Sequence, residues 1–520
     1  MELEKRDWLW CGIIVLALVL MSVYVNIQVS GFLQGDEVTE VLDGIFIMNY
    51  VGDSIAQGSF INPLQYATDF QSKSFGLTIN NRPLYFRGLE AVLFGAFGVN
   101  LLIPRLLSLF HAIGFFLIWY FWIKQEYSEK VAVFSSFIML TSWKFVMYSW
   151  RITMEFPYLL FLFLSLFLFV KYYRSRDEKY VLPFFATVFL GLMTKNVMLF
   201  LFPIIALYLI IRWRFRINKE KLCDLKNLVF KKRFVFFGIL TGALAVPWYF
   251  LSITTSSTVQ GLVNDGVRSF NPLTYLILIV KEEPIILVGF LVYVLFFLFY
   301  RRADATTWER DAPYLAALVV FYTVLSAMGW KHFRYIAIIY PVFALFTGVV
   351  LANLRKIGYA VFALILLFNV FLFVGYMQTP AVGGTYEEFN ANLKPGVFEV
   401  QGIQDVPDKW GEVAEFMAEV EPQGNVLYAG YPGNFLYSYH INMLGRPEVR
   451  LVRDHPSDVA QFDTVEDVVE HYDIEYIVYD TELDLSYHWA KILPLVGDEL
   501  AKDRYEKIGD VNKVEVYRIK

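Results

Sequence analysis

Cysteine is nearly absent: the chain has two in 520 residues, Cys11 inside an apolar run and Cys223 inside a basic one. Two thiols so placed build no disulfide framework, and the six histidines do not fall into a metal-ligand spacing with them. Charge is scarce as well, at 18% of residues against about 25% in a soluble domain. No glycine-rich phosphate loop between a strand and a helix is present, so nucleotide chemistry lacks its usual cradle. The net charge of −5 gives no reason to expect nucleic acid as a partner.

What is abundant is apolar. Hydrophobic residues make up 57% of the chain, with 49 Phe and 33 Tyr. Several runs exceed the roughly 17–20 residues needed to cross a hydrocarbon core. The expected fold class is a polytopic α-helical membrane protein. The first run has no small-residue cleavage site and reads as a retained helix, not a removed signal peptide.

Charge is distributed unevenly. From residue 385 onward there are 12 Lys and Arg against 27 Asp and Glu; the rest of the chain has 33 against 23. That asymmetry sets a boundary near residue 380, with a membrane domain over 1–380 and a soluble domain over 381–520. In the second part NVLYAG and IEYIVYD read as buried strands, and DKWGEVAEFMAEV has apolar residues at helical spacing. A small external α/β domain is expected.

The Lys/Arg-rich segments MELEKRD, KYYRSRDEKY, RWRFRINKEKLCDLKNLVFKKR, RRADATTWERD and NLRKIG mark the cytoplasmic side. Between them fit about eleven spans, near 8–28, 104–123, 131–148, 153–171, 181–194, 196–212, 234–252, 284–300, 312–329, 335–352 and 358–377. An odd number puts the N-terminus inside and the acidic domain outside. Treating 84–98 as a further span would move every later basic loop to the outside. It also contains Arg87 and Glu90, so it reads as an interfacial helix. Residues 30–99 then form one long first external loop.

Ionisable residues at membrane-helix ends are functional candidates. Asp36 and Glu37 follow the first span. Arg82 precedes the interfacial helix, with Tyr85 just after it. Arg151 and Glu155 lie four residues apart, a spacing that lets them face each other on a helical turn. Lys195 lies between two apolar runs, and Lys331, His332, Arg334 and Tyr335 open a later span. Each has an ordinary alternative: cations at helix ends snorkel to the interface, and loop carboxylates are solvated. Their predicted convergence on one side suits an anionic substrate and a reaction that needs a general base.

GDEVTEV, NRPLYFRGLEAVLFGAFGVNLLIPRLLSLF, WRITMEFPYLLF, GLMTKN, VPWYF and HFRYIAIIYP occur in this order along the chain. In that ordered set the membrane half resembles the GT-C class of glycosyltransferases, in particular the protein O-mannosyltransferases and the lipid A aminoarabinose transferases. The resemblance implies an enzyme that transfers a sugar, with inversion, from a polyprenyl-phosphate carrier to a glycan, lipid or protein acceptor on the external face. It implies Asp36 as general base with Glu37 in support, Glu155 at the second acidic position, and Arg82 as a ligand of the lipid phosphate beside Lys331 and Arg334. Glu155 stands where those transferases usually have Asp. Lys195 is followed by Asn where the family has Lys-Gly, which ranks it lower. No cofactor is required; a divalent metal is left open, since the sequence shows no ligand set for one.

Two other readings stand beside this one: a transporter or flippase of lipid-linked sugars, and a non-catalytic scaffold of a glycan-assembly complex. The membrane half shows no internal repeat of the transporter kind. The chain stops at VYRIK, without an ER-retention signal, and lacks the lectin-like insert of eukaryotic protein mannosyltransferases. The expected location is a prokaryotic plasma membrane.

Overall fold

The computed structural model describes residues 4–28, 35–63, 65–66, 83–255, 273, 284–300, 305–327, 337–378, 409–420, 424–429, 451–453, 462, 464–480, 493–511 and 514–520. The helices are α1 Lys5–Gln28, α2 Gly35–Ala56, α3 Tyr85–Phe97, α4 Leu102–Glu126, α5 Glu129–Thr141, α6 Glu155–Ser175, α7 Val181–Leu192, α8 Leu201–Arg212 and α9 Lys219–Val229. They continue with α10 Lys232–Thr255, α11 Pro284–Tyr300, α12 Ala305–Ala327, α13 Tyr340–Asn353 and α14 Arg355–Gln378. The C-terminal part adds α15 Lys409–Val420, β1 Asn425–Ala429, β2 Leu451–Arg453, α16 Val465–Tyr472, β3 Ile474–Asp480, α17 Leu493–Leu500, β4 Tyr505–Val511 and β5 Val514–Ile519. Among the described residues, segments of α1 (Lys5–Val23), α4 and α6 have the length and apolarity to cross a membrane unaided. The chain divides into two compact units. One holds Met1–Val25, Ile79–Phe86 and Leu101–Tyr376; the other holds Asn26–Thr78, Arg87–Asn100 and Met377–Lys520.

In the first unit α4 lies against α5 and α6, α5 against α13, α7 against α6 and α10, and α8 against α12. Its interior is aromatic. Phe115, Phe116, Phe145 and Phe156 pack with ring centroids 5.2–6.1 Å apart, each pair worth about 0.5–1.5 kcal/mol beyond burial alone. The α5–α13 crossing is tight because Gly348 has no side chain: a Cβ there would lie 3.1 Å from the Ser135 backbone nitrogen. Small residues let membrane helices approach this closely.

The charged helix ends expected on the cytoplasmic side gather at one end of this unit. Lys124 contacts Asp7 at 2.6 Å, and the Trp10 indole donates to Glu129 at 2.9 Å. Arg174 reaches Glu126 at 2.6 Å and the Glu309 carbonyl at 3.0 Å. Arg212 meets Glu309 at 3.0 Å, and Tyr127 donates to the buried Asp311 at 2.7 Å. Charges that would be costly in hydrocarbon are thus paired where the helices leave it.

One expected span is shorter than its apolar run. The run over 131–148 is helical only to Thr141, because Ser142 is extended (ψ 109°). Its hydroxyl then accepts from the Phe145 backbone at 3.4 Å, capping a four-residue turn, Trp143–Val146. A serine that competes for backbone bonds ends one helix and starts the next.

Residues 30–99, read from sequence as an external loop with an interfacial helix, include α2 and α3 among the described residues. α2 carries Val38, Val41, Leu42 and Ile45 at helical spacing, but its acidic start and two internal glycines obscure the pattern. α3 forms where the interfacial helix was expected. At 13 residues it is about 20 Å long, too short to span. It buries Arg87 and Glu90 while leaving Val92 and Phe97 exposed, the reverse of a helix on a water-soluble surface and suited to lipid outside.

The C-terminal part is α/β. Its sheet has the order β2-β1-β3-β5-β4, with β1 parallel to β2 and β3, and β5 antiparallel to β3 and β4. α16 and α17 bury Val468, Val469, Val496 and Leu500 against Leu427 and Ile477. Thr464 caps α16 by accepting from the Asp467 backbone at 3.1 Å. The strands expected from NVLYAG and IEYIVYD are β1 and β3, and DKWGEVAEFMAEV contains α15.

Candidate functional site

Within the first unit, the ends of α6 and α7 opposite the charged face carry a carboxylate and an ammonium group. The turn after α7 is held by backbone bonds from Thr194 and Lys195 to the Gly191 carbonyl at 3.0 and 3.1 Å. Gly191 leaves room there for Met198, whose sulfur would lie 2.8 Å from a Cβ at that position. The turn delivers Lys195 to Glu155, the first residue of α6, with Nζ donating to Oε1 at 2.9 Å. The Glu155 side chain is 5% exposed and that of Lys195 25%. An approaching anion therefore meets the ammonium first, while the buried carboxylate fixes its position.

The start of α3 docks beside this pair. The Tyr85 backbone donates to the Met193 carbonyl at 2.7 Å, two residues before Lys195. Its hydroxyl lies 3.0 Å from His111 Nε2, and its ring stands edge-on to Phe161. His111 Nδ1 sits 2.7 Å from the Leu107 carbonyl, which can only accept. Nδ1 therefore carries the proton, and in the neutral ring Nε2 accepts from Tyr85. His111 was not a candidate from sequence, because a lone histidine in an apolar helix carries no spacing signal.

In the second unit, Arg87 is fully buried and binds two residues of α2. Its Nη2 and Nε lie 2.6 and 2.8 Å from Glu40 Oε2, and Nε lies 3.0 Å from Asp43 Oδ2. Glu90, one turn further along α3, is buried beside them, and neither of its oxygens has a hydrogen-bond partner among the described residues. A Cβ on Gly44 would stand 2.9 Å from Glu90 Oε2, so the absence of a side chain at Gly44 leaves room for the Glu90 carboxyl. Burial, together with the nearby Glu40 and Asp43 charges, raises the Glu90 carboxyl well above the usual range, against a smaller opposing effect of Arg87.

Of the candidate residues, the structure brings Glu155 and Lys195 into contact and sets Tyr85 beside them. Lys195, ranked low from sequence, is an ion-pair partner of Glu155. The expected Arg151–Glu155 helical pairing is corrected: α6 begins at Glu155, and Arg151 precedes it in a non-helical bend where Thr153 donates to its carbonyl at 2.8 Å. Glu37 is buried in the first turn of α2. Asp36 lies in the same turn, with only its backbone described. Both are helical, not loop, residues. Arg82, Lys331, His332, Arg334 and Tyr335 lie outside the described residues. Among the described residues no three His, Cys, Asp or Glu side chains converge as metal ligands.

The sequence profile of the dolichyl-phosphate-mannose-protein mannosyltransferases matches residues 82–230. No curated protein matches the chain in sequence. Among solved structures, ArnT from Cupriavidus metallidurans bound to undecaprenyl phosphate is similar with a TM-score of 0.60 at 12% identity, over 99% of this chain and 98% of that one. The apo oligosaccharyltransferase of Archaeoglobus fulgidus gives 0.57 at 12% identity, over 96% of this chain and 73% of that one. Arabinofuranosyltransferase AftD from mycobacteria gives 0.52 at 14% identity, over all of this chain (100%) and 40% of that one.

Proposed function

From a chain with the fold of the GT-C glycosyltransferases, we infer a multi-pass membrane enzyme that transfers a sugar from a polyprenyl-phosphate carrier to an acceptor hydroxyl on the external face, inverting the anomeric centre. The observation that carries this reading is the Glu155–Lys195 pair, 2.9 Å apart and within the stretch matched by the mannosyltransferase profile. Full-length likeness to a structure bound to undecaprenyl phosphate supports a lipid-phosphate donor.

The acceptor oxygen attacks the anomeric carbon as the bond from that carbon to the phosphate oxygen breaks, and the polyprenyl phosphate departs with the electron pair. Asp36 takes the hydroxyl proton, supported by Glu37. Arg82, Lys331 and Arg334 hold the phosphate, the arginines through a planar fork that can bind two oxygens at once. Lys195, fixed by Glu155, adds positive charge where the leaving group develops negative charge. Tyr85, Arg151, His332 and Tyr335 line the donor.

Residues 1–380 form the catalytic membrane domain, with 30–99 as its first external loop, and 381–520 form the extracytoplasmic domain. The gathering of basic helix ends on one face supports a cytoplasmic N-terminus in a prokaryotic plasma membrane.

The test is transfer by purified protein from a panel of radiolabelled polyprenyl-phosphate sugars, with Asp36→Asn alongside. Labelled product from wild type and none from folded, donor-binding Asp36→Asn are expected. Donor translocation without product favours the flippase reading, and neither binding nor product favours the scaffold. Full activity in Asp36→Asn removes that residue as the base.

A further inference from the structure

The proposed base and its support stand in the first turn of α2, and the proposed mechanism leaves one buried assembly on the same helix unused. Glu40 and Asp43 lie three and seven residues beyond Glu37 and Asp36 respectively, which places them one and two turns down the helix. Both contact Arg87, which is buried to 0% exposure. We propose that Arg87, gripping Glu40 and Asp43, is a positioning residue that fixes the first turn of α2 and with it Asp36 and Glu37; this rests on the transferase reading above.

Three features argue for a clasp and not merely a packed pair. First, the guanidinium binds two carboxylates one turn apart, so α2 can neither slide nor rotate against α3 without breaking a contact. Second, among the described residues the groups facing it include three carboxylates, Glu40 and Asp43 from α2 and Glu90 from α3. Such an arrangement is costly to bury, and an apolar pair would hold two short helices at less cost. Third, Gly44 admits Glu90 and Phe94 so closely that a Cβ there would force the Glu90 and Phe94 side chains to shift. Fixed geometry at the reacting group is where such a cost is repaid, because small misplacements of a catalytic group lower rates steeply.

The test uses full-length protein in nanodiscs. Arg87→Met leaves two buried carboxylates without their cation and is prone to misfold, so the informative variant is Arg87→Met with Glu40→Gln and Asp43→Asn, which removes all three charges. Donor kinetics are read together with the line shape of a nitroxide at Thr39, in a background lacking Cys11 and Cys223. The triple variant should melt near wild type, lose at least tenfold in kcat with donor KM within twofold, and show a more mobile label. Arg87→Lys should recover part of both, since a single ammonium cannot reproduce the fork. Unchanged kcat with an immobile label overturns the proposal. If wild type transfers nothing from any donor, the transferase reading fails, and the label still decides the clasp: loosening supports it, no loosening removes it.

Discussion

Glu155 and Lys195, forty residues apart in sequence, meet at 2.9 Å across the ends of α6 and α7. If the pair holds a cation for the leaving phosphate, Lys195→Met should lower kcat/KM by about 10- to 100-fold, roughly 1.4–2.7 kcal/mol of transition-state stabilisation. Lys195→Arg should retain most of the activity. Transfer assays and thermal melts on the same samples separate the cases: a lower melting temperature with unchanged kcat/KM would make the pair structural.

Gly348 predicts a stability effect. Gly348→Leu forces the α5 backbone away from α13 and should cost about 1–3 kcal/mol through overpacking. Gly12→Leu is the matched control, since a Cβ at Gly12 meets nothing within 4 Å. Melting temperatures in one detergent should fall for the first variant and stay level for the second.

Glu90 makes stability depend on pH. Its carboxyl is raised in the folded protein, whereas an unfolded chain has a value of about 4.3. Between those values the folded state binds more protons, so stability falls as pH rises through that window. Glu90→Gln should therefore show a smaller loss of melting temperature between pH 5 and pH 8 than wild type. Parallel curves for the two proteins would remove Glu90 as the source.

The Tyr85–His111 hydrogen bond should show coupling. Tyr85→Phe leaves His111 Nε2 buried without its donor, which costs about 1–3 kcal/mol. Adding His111→Phe removes the stranded acceptor, so the double variant should be more stable than the sum of the two single effects indicates. Additive melting shifts would argue against the bond.

What was legible in the sequence follows from what is local. Long apolar runs gave α4 and α6, and short buried-strand runs gave β1 and β3, because hydrophobic pattern alone sets those elements. Asp36, Glu37, Glu155 and Lys195 were singled out as candidates because ionisable residues are conspicuous at the ends of apolar helices. The assembly around Arg87 was not legible. Arg87 and Glu90 argued against a further span, yet Glu40, 47 residues away from Arg87, could be matched to it only by the fold. Arg151 and Glu155 do not share a helical turn, because a four-residue spacing has that meaning only inside a helix, and α6 starts at the second of the two. His111 carried no signal at all; its role depends on a tyrosine 26 residues upstream.

Arg174 also sets a sequence of events during synthesis. Its contact with Glu126 spans 48 residues and can form once α4 and α6 are both inserted. Its second arm must wait for the Glu309 carbonyl, 135 residues later. Until α12 arrives, one end of the growing bundle has an arginine with one of its three hydrogen bonds unmade, so membrane assembly there can be completed only late.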